Sequence, residues 1–303
     1  MAPVTTGSFP KDLQPGLKAK FDGMYGSINP IWKQLFRELS SDKRYEEIVS
    51  SYSTGLVDEK PEGVAISYDD IGQGLTIRHT HKSYGKGVII TKEAMDDNLY
   101  GSLSKRAVEA LVKSHATNEE YVHADIFNQG FTVANNHQEG GDGQYLFDTD
   151  HTAKNGTYSN LLTAAAFSRA ALQDAVTQIR LTKDETGIHF SGLNAVKLIV
   201  PAALEWRAAE ILKTNLQPDS ANNNINPVQG IMPYISWEFL DDSSSTAWFI
   251  KTNADYGLIN YSRYKPYITF SSDDDTYNEK IQSYSRYRAG VADCRGIFGN
   301  AGA

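Results

Sequence analysis

The chain has 303 residues, of which 40% are hydrophobic, 22% charged and 11% aromatic. This composition is that of a globular protein with enough apolar side chains for a sizeable core, arranged as one large unit or two interlocked ones. The formal net charge of −8 disfavours a protein whose main task is to bind nucleic-acid phosphates. No run approaches the roughly 18 apolar residues of a membrane span. The single cysteine, Cys294, excludes an internal disulfide and indicates folding in a reducing cytoplasm.

The first forty residues are predicted to form an extended arm followed by one helix. Pro3, Pro10 and Pro15 keep the beginning of the arm extended, and Pro30 suits the first turn of a helix. Apolar side chains recur at helical spacing behind it, at Ile31, Leu35, Phe36 and Leu39. Such an arm has little core of its own, so it is expected to lie on its own body or on a neighbouring subunit.

A projecting hairpin is predicted between residues 64 and 82. Apolar and polar residues alternate over Val64–Tyr68 and again from Leu75, and glycines supply a turn between the two runs. The second run continues through polar residues to Lys82, so little would hold it against a core, and its free edge could pair with another chain. The candidate self-assembly residues in this hairpin are Gly72, Gly74, Ile77, Arg78 and His79.

Residues 92–130 contain the longest helical pattern, which at about 1.5 Å per residue would span some 50 Å. His115 and His123 could share a face of this helix, but no third ligand stands near them in the sequence. Further helices are predicted at 161–182, with a cap at Ser159 or Asn160, and at 202–215. Strands are predicted at 196–200, 230–239 and 247–251, and the tyrosine-rich end from 258 to 297 is strand-like. Residues 218–227 form an asparagine-rich surface loop with candidate assembly residues Asn222, Asn223 and Asn224.

The sequence lacks the usual signatures of catalysis. It contains no phosphate-binding glycine loop, no dinucleotide fingerprint and no hydrolase nucleophile elbow. Asp148, Asp150 and His151 could bind an ion, but such a turn is more often a capping device, and the two readings stay open. His79 and His81 alternate on one strand and lack partners for a metal.

Two segments combine tyrosine with arginine, the residue types that concentrate at the energetic centres of interfaces. They are 261–265 and 284–288, and they supply the candidate assembly residues Arg263, Tyr264, Arg286 and Tyr287. With a projecting hairpin, an arm and a strut-like helix, these segments favour a structural protein over an enzyme.

The chain resembles the major capsid proteins of tailed bacteriophages, in particular the Mu-like major head subunit branch. The resemblance rests on 146–151 (LFDTDH) followed by 159–161 (SNL), on the helix 170–175 (AALQDA), and on 198–205 (LIVPAALE) with 208–212 (AAEIL). It continues through the asparagine-rich segment to Trp248 and Phe249, and it covers roughly residues 92–295.

The resemblance implies an α+β fold shared with the floor of herpesvirus capsids. In that fold we expect an N-terminal arm and helix at 1–51, an extended hairpin loop at 52–91, and a peripheral domain with a spine helix at 92–144. An axial domain would occupy 145–240, and residues 241–303 would return to the peripheral domain. The asparagine-rich loop would then lie near the centre of a hexamer or pentamer.

The resemblance also implies a function without a cofactor. Hexamers and pentamers of the chain would form an icosahedral shell around packaged double-stranded DNA, bound without sequence specificity, in a virion assembled in the host cytoplasm. The implied partners are other copies of the chain, a portal protein, a separate scaffolding protein and a decoration protein, with no membrane. An encapsulin-like compartment of the same fold and, further off, a metal-dependent enzyme remain the alternatives.

Overall fold

The computed structural model describes residues 10–52, 54–97, 102–189, 192–216, 224–255 and 257–303, with side chains from residue 16 onward. The helices are α1 (Pro10–Ser27), α2 (Lys92–Asp96), α3 (Leu103–Asn128), α4 (Arg169–Arg180) and α5 (Glu205–Lys213). The first strands are β1 (Arg37–Ser40), β2 (Tyr45–Ser51), β3 (Gln73–Thr80), β4 (Lys82–Ile90), β5 (Glu139–Gly140), β6 (His151–Ala153) and β7 (Gly156–Tyr158). The remaining strands are β8 (Ala195–Val200), β9 (Tyr234–Ser236), β10 (Trp248–Thr252), β11 (Leu258–Ser272), β12 (Glu279–Val291) and β13 (Ile297–Asn300).

The strands of the described residues form two four-stranded sheets and two smaller ones. A long sheet has the order β1-β11-β12-β4, and the predicted tyrosine-rich strands are its two central members. A second sheet has the order β13-β10-β8-β9. The hairpin β2-β3 adds the short strand β5, and β6 pairs with β7. The fold is therefore the predicted mixture of helices and sheets.

The predicted spine helix is present but shorter than expected. α3 has 26 residues, so at about 1.5 Å per residue it is roughly 39 Å long. It buries an apolar stripe at helical spacing, formed by Ala107, Val108, Leu111 and Val112, against the long sheet and α1. The predicted helix began at residue 92, whereas α3 begins at Leu103. Residues 92–96 form the separate helix α2, which is capped by Thr91, whose hydroxyl accepts a hydrogen bond from Ala94 N.

The prediction for the N-terminal segment is wrong. Residues 10–27 are helical, and the stretch behind Pro30 is a 3-10 turn at Ile31–Gln34 followed by β1. Leu35 and Phe36 are buried in the main core and Ile31 packs against it, whereas Leu39 is half-buried in β1. Phe21 of α1 is fully buried against α3, so this segment packs on the chain's own body.

The predicted hairpin strands are also wrong in part. β3 pairs antiparallel with β2, not with residues 64–68, which are not in a strand. Gly72 therefore lies at the end of a long connection, and Gly74 lies in β3, rather than both forming a tight turn. The alternation over Val64–Tyr68 does not make a strand because no neighbouring segment of the chain pairs with it.

Two further boundaries differ from the prediction. α4 begins at Arg169 because the Ser168 hydroxyl accepts a hydrogen bond from Ala171 N at 3.2 Å; Ser159 and Asn160 cap no helix. The fully buried Asn160 amide instead donates to the carbonyl groups of Leu146, Cys294 and Ile297. The boundary predicted at residue 241 does not separate the two sheets, because β10 and β13 pair with the second sheet and only β11 and β12 with the long one.

Candidate assembly interface

The connection between β2 and β3 is the longest run of exposed residues in the described part of the chain. Every described residue from 54 to 71, here called the extended loop, is exposed to solvent. Few hydrogen bonds hold its two limbs together: Tyr52 N donates to Gly72 O at 2.9 Å, Gly55 N to Asp69 Oδ2 at 3.0 Å, and Ser67 Oγ to Asp58 Oδ2 at 2.7 Å. The loop therefore has very little packing of its own.

Large apolar side chains on the extended loop face solvent. They are Leu56, Val57, Val64, Ile66, Tyr68 and Ile71. Val57 is 97% exposed and Tyr68 is 93% exposed. Residues 54–72 also hold five carboxylates and one lysine, a formal net charge of −4. A surface that is both apolar and acidic is unlike the scattered apolar residues of an ordinary surface, and concentrated patches of this kind mark interaction sites.

The candidate residues of β3 divide between the surface and the interior. Arg78 is exposed, where it pairs with Glu47 at 2.6 Å and stacks over the Tyr45 ring at 4.3 Å. Ile77 and His79 are buried, so the expectation that this strand projects freely is wrong. The strand crosses β12 at Gly290, where an added Cβ would lie 2.5 Å from His79 Nδ1.

The buried face of β3 is held neutral. Burial, with the positive charge of Arg288 next, lowers the pKa of His79 to about 4. His81, which follows the end of β3, has its pKa lowered by burial and by Arg286, and its Nε2 lies 3.0 Å from Ser41 Oγ. Tyr261 contacts both rings. The base of the hairpin is thus fixed on the long sheet, while the extended loop beyond it is not.

The long sheet carries a cluster of exposed or half-exposed tyrosines, here called the tyrosine cluster, formed by Tyr264, Tyr267 and Tyr284. Their ring centroids are separated by 5.8 to 6.4 Å. Two bulges in β11, on either side of Tyr264, interrupt the register at this point and place Arg286 opposite Tyr264. Arg263 lies over the Tyr264 ring at 5.7 Å.

Tyr287 does not belong to this surface. It is buried, and its ring stacks on Tyr84 at 4.7 Å and on His123 at 5.9 Å. Its hydroxyl accepts a hydrogen bond from Asn118 at 3.2 Å. Of the two tyrosine-arginine segments in the sequence, the structure therefore brings Arg263, Tyr264 and Arg286 together near the surface and leaves Tyr287 in the interior.

The asparagine-rich loop is described only in part. Asn222 and Asn223 lie outside the described residues, and Asn224 is exposed. The loop is anchored by the buried Asn226, whose amide donates to Ile211 O at 2.6 Å and to Thr214 O at 3.0 Å. Next to Asn224, Ile225 is 78% exposed.

Sequence reasoning missed Trp206, which is 82% exposed on α5. The signal was available, because Trp206 falls outside the apolar stripe of Ala208, Ile211 and Leu212 that α5 buries. Tryptophan is enriched among the residues that dominate the energy of protein interfaces, so Trp206 is a further candidate.

The ion-binding reading of Asp148, Asp150 and His151 is not supported by their positions. Burial opposes protonation of His151, but its 2.7 Å contact with Asp142 and its interaction with Cys294 together outweigh burial and raise the pKa of His151 to about 11. The protonated ring donates from Nδ1 to Asp142 and from Nε2 toward Leu146 O and Asn160 Oδ1. Within the described ranges, no three His, Cys, Asp or Glu side chains are grouped so as to hold a metal ion.

Cys294 is buried, and burial raises the pKa of its thiol. Such a thiol is less reactive than an exposed one. Of the helices in the described ranges, none is long and apolar enough to cross a membrane.

Comparisons with solved structures show what this fold is similar to. A structure of Mycobacterium phage Patience matches with a TM-score of 0.57 and 10% identity, over 99% of this chain and 89% of that chain. The capsid structure of the cyanophage P-SCSP1u matches with a TM-score of 0.57 and 9% identity, over 91% and 88%. A virus-like particle from Pyrococcus furiosus matches with a TM-score of 0.51 and 11% identity, over 94% and 98%. At these identities the likeness shows the fold, which is that of tailed-phage capsids.

A comparison of the sequence with models of protein families gives a further match. No curated protein sequence matches the chain. The model of a family described as phage capsid protein matches residues 74–300, which is 227 of the 303 residues. These matches do not single out the Mu-like branch, which stays a prediction. Because the family match spans most of the sequence and the fold agrees with it, the chain belongs to the phage capsid protein family as a major capsid protein, a structural subunit of the shell.

Proposed function

We propose that copies of this chain join into the hexamers and pentamers of an icosahedral head through the extended loop, which docks on the tyrosine cluster of the neighbouring subunit. The observation that carries the proposal is the exposure of six large apolar side chains on a segment that its own chain barely holds. A subunit that assembles buries such side chains against the next copy, and each fully buried one contributes roughly 1.5–3 kcal/mol.

Charge supports the same pairing. The extended loop with Gly72 carries a formal net charge of −4. The tyrosine cluster is flanked by the cations Arg263, Lys265 and Arg286, of which Lys265 has one weak partner, Glu38, at 3.6 Å. Opposite potentials on two surfaces steer them together and fix their register. Exposed tyrosine rings also provide a large, rigid surface for aliphatic side chains.

The domain assignment follows from the same proposal. The long sheet with α3 would be the peripheral domain, and the second sheet with α4 and α5 the axial domain. Asn224, Ile225 and Trp206 lie on the part of the chain assigned to the axial domain, and there they would face symmetry mates around the capsomer axis. This extends the predicted role of the asparagine-rich loop to an apolar contact.

The head would hold packaged double-stranded DNA and be built in the host cytoplasm, with a portal protein, a separate scaffolding protein and a decoration protein as partners. An acidic subunit suits a container that does not bind its contents tightly. A compartment filled with protein shares the fold, but the matching family model is that of phage capsids, and this favours the head.

Charge reversal tests the docking. Asp69→Arg with Asp70→Arg on the loop should reduce closed particles at least tenfold by negative-stain microscopy, and Arg263→Glu with Lys265→Glu on the sheet should do the same. A chain with all four changes should recover particles in part, because positions 69 and 70 would again attract positions 263 and 265 with opposite signs, while the loop as a whole would carry no formal net charge. Asp174→Arg, on the exposed side of α4, is the matched control and should assemble normally.

Failure of the four-fold variant to assemble, while Asp174→Arg assembles, would refute the pairing of these two surfaces. Particles obtained by expressing the chain together with its neighbouring genes would then be treated with nuclease. Protected double-stranded DNA identifies a head, and protein contents alone would support the compartment.

A further inference from the structure

One edge of β11 is only partly covered by its neighbour β1. The two strands pair over residues 37–40 and 259–262, and the pairing ends where Ser40 meets Ser262. β11 continues to Ser272, with β12 on its other side. Within the described residues, no strand pairs with the edge formed by residues 263–272, here called the open edge. An edge of this length is a template for a strand from another chain.

Backbone groups of β11 point toward the open edge at alternate residues. Asp273 N donates to Asn278 O at 2.9 Å, so Asp273 faces the β12 side of the hairpin. Successive residues of a strand direct their N–H and C=O groups to opposite sides, and the register over 267–272 is unbroken. The N–H and C=O groups of Ile268 and Phe270 therefore face the open edge, where a further strand can pair with them.

Pro266 and two bulges are typical of an edge. A proline cannot donate a hydrogen bond to a neighbouring strand and is confined to edges or bulges of sheets. Pro266 lies where the register of β11 with β12 shifts, between Tyr264 and Tyr267. Thr269 is exposed on the same face as Tyr267, whereas Ile268 packs on the other face against α1 and α3. A strand added here would have one face beside the tyrosine cluster.

The extended loop contains a segment with a strand pattern that its own chain does not pair. Val64, Ile66 and Tyr68 alternate with the small residues Ala65 and Ser67. All five are exposed, and none is in a strand. In an extended conformation the three large side chains share one face and the two small ones share the other. The segment therefore has the pattern of a strand whose sheet belongs to another chain.

We propose that residues 64–68 of one subunit add as a strand to the open edge of β11 in the neighbouring subunit. The inference rests on the docking proposed above and specifies its form. Main-chain hydrogen bonds join the segment to the edge, and its three large side chains face the tyrosine cluster. In strand addition, main-chain bonds provide affinity and alternate side chains provide specificity.

Charge indicates the direction of the added strand. Two carboxylates, Asp69 and Asp70, follow the segment, and two cations, Arg263 and Lys265, stand at the beginning of the open edge. Bringing these charges together makes the segment antiparallel to β11. Antiparallel pairing is also slightly more stable per residue than parallel pairing.

Pairing Asp70 with Arg263 sets the remaining partners. Val64 then falls opposite Thr269, with both side chains on the face of the tyrosine cluster. Directly opposite residues of an antiparallel pair lie within the Cα separation that a disulfide spans. Tyr68 falls four residues further along β11 from Thr269, and at about 3.3 Å per residue that is about 13 Å away.

A disulfide tests the pairing in particles obtained by expressing the full-length chain with its neighbouring genes. Val64→Cys combined with Thr269→Cys should give a ladder of linked subunits on a non-reducing gel after mild oxidation. Tyr68→Cys combined with Thr269→Cys is the matched control and should remain unlinked. The natural thiol, Cys294, is buried and should form no link in the wild type.

A proline in the segment tests the main-chain bonds. In this register Ala65 donates its N–H to the carbonyl oxygen of Ile268. Ala65→Pro removes that donor from a residue that is exposed in the subunit, so closed particles should fall at least tenfold while the Tm of the unassembled subunit stays unchanged. Ala65→Ser keeps the N–H and should assemble as the wild type does.

Absence of the 64–269 link in intact particles would overturn the added strand, and so would normal assembly of Ala65→Pro. Links formed by Thr269→Cys alone would contradict it by showing two open edges paired with each other. If the cysteine variants form no particles, Ala65→Pro against Ala65→Ser decides. Recovery of the four-fold charge variant without the 64–269 link would keep the docking and reject the added strand, whereas failure of both would reject the docking itself.

Discussion

The hairpin base and the extended loop belong to one excursion of the chain, yet they are built in opposite ways. At the base, Ile77 and His79 are buried and β3 crosses Gly290 with no room for another atom. Beyond residue 52, every described side chain to residue 71 is exposed. The base therefore depends on its own chain, whereas the loop needs a second chain to cover it.

The largest loss of subunit stability is expected from a substitution at Gly290, where the hairpin base packs on β12. An alanine there would place its Cβ 2.5 Å from His79 Nδ1 and against the His137 carbonyl, so the base must lift from the sheet. We expect a loss of roughly 3 kcal/mol in the free energy of unfolding, the upper range for overpacking. Gly87→Ala, whose Cβ would meet Ile281 O at 3.4 Å, is the control on the same sheet. Urea titration of the unassembled subunits measures both, and equal stabilities would contradict the description of the base.

The second largest effect on subunit stability is expected from low pH, because buried histidines hold the base of the hairpin. Burial and Arg288 keep the pKa of His79 near 4, below its usual 6.5, and burial keeps that of His137 near 3. Between pH 4 and pH 6.5, His79 therefore binds more protons in the unfolded chain than in the folded one. Stability that is present above pH 6.5 is lost as the pH falls toward 4. At about 1.4 kcal/mol for each pKa unit, His79 alone contributes on the order of 3 kcal/mol.

His151 does not share in this acid loss, since its pKa of about 11 means that its stabilisation is complete below pH 6.5 and declines as the pH rises from 6.5 toward 11. The measurement is the subunit's Tm from pH 7 to pH 4 in the wild type and in His79→Gln. We expect a shallower decline in the variant, and His189→Gln, at an exposed position, should follow the wild type. Parallel curves for the wild type and His79→Gln would show that His79 is not the sensitive group.

The smallest effect on subunit stability should come from the loop. Replacing 54–71 with a short Gly/Ser linker removes side chains that touch little of their own chain, so the free energy of unfolding should change by less than about 0.5 kcal/mol. The same deletion should abolish closed shells. Circular dichroism melts and electron microscopy of one preparation give both readouts. Normal shells from the deletion would remove the loop from assembly, and a strongly destabilised subunit would show that it packs on its own body.

The sequence predicts those elements that are fixed by the pattern of neighbouring residues, and it does not predict those that depend on contacts with residues far away in the chain. The α3 stripe and the strands β8, β10, β11 and β12 follow from periodicity, and the structure confirms them. The N-terminal helix could not be predicted in this way, because Glu119 on α3, which accepts the Tyr25 hydroxyl, lies 94 residues away. The partner of β3 was missed for a related reason: alternation shows that a segment can form a strand but not what pairs with it.

In the candidate site, too, residue type is visible in the sequence, whereas exposure and partners are decided by the fold. Arg263, Tyr264 and Arg286 were recognised by residue type, and the bulges of β11 place them together. Tyr287 has the same type but falls on the buried side of β12, which only the register decides. His151 was selected as part of an acidic turn, yet its true partner is Asp142 from the preceding loop.

The parallel pairing of β1 with β11 joins Arg37 to Ile259, and the last strand, β13, completes the second sheet with β10. Contacts between residues so far apart in sequence form late, after the intervening chain is in place. During synthesis, the long sheet cannot close before β12 and the second sheet cannot close before β13 has left the ribosome. The surfaces that these sheets present to other copies are therefore completed only after those strands have been made.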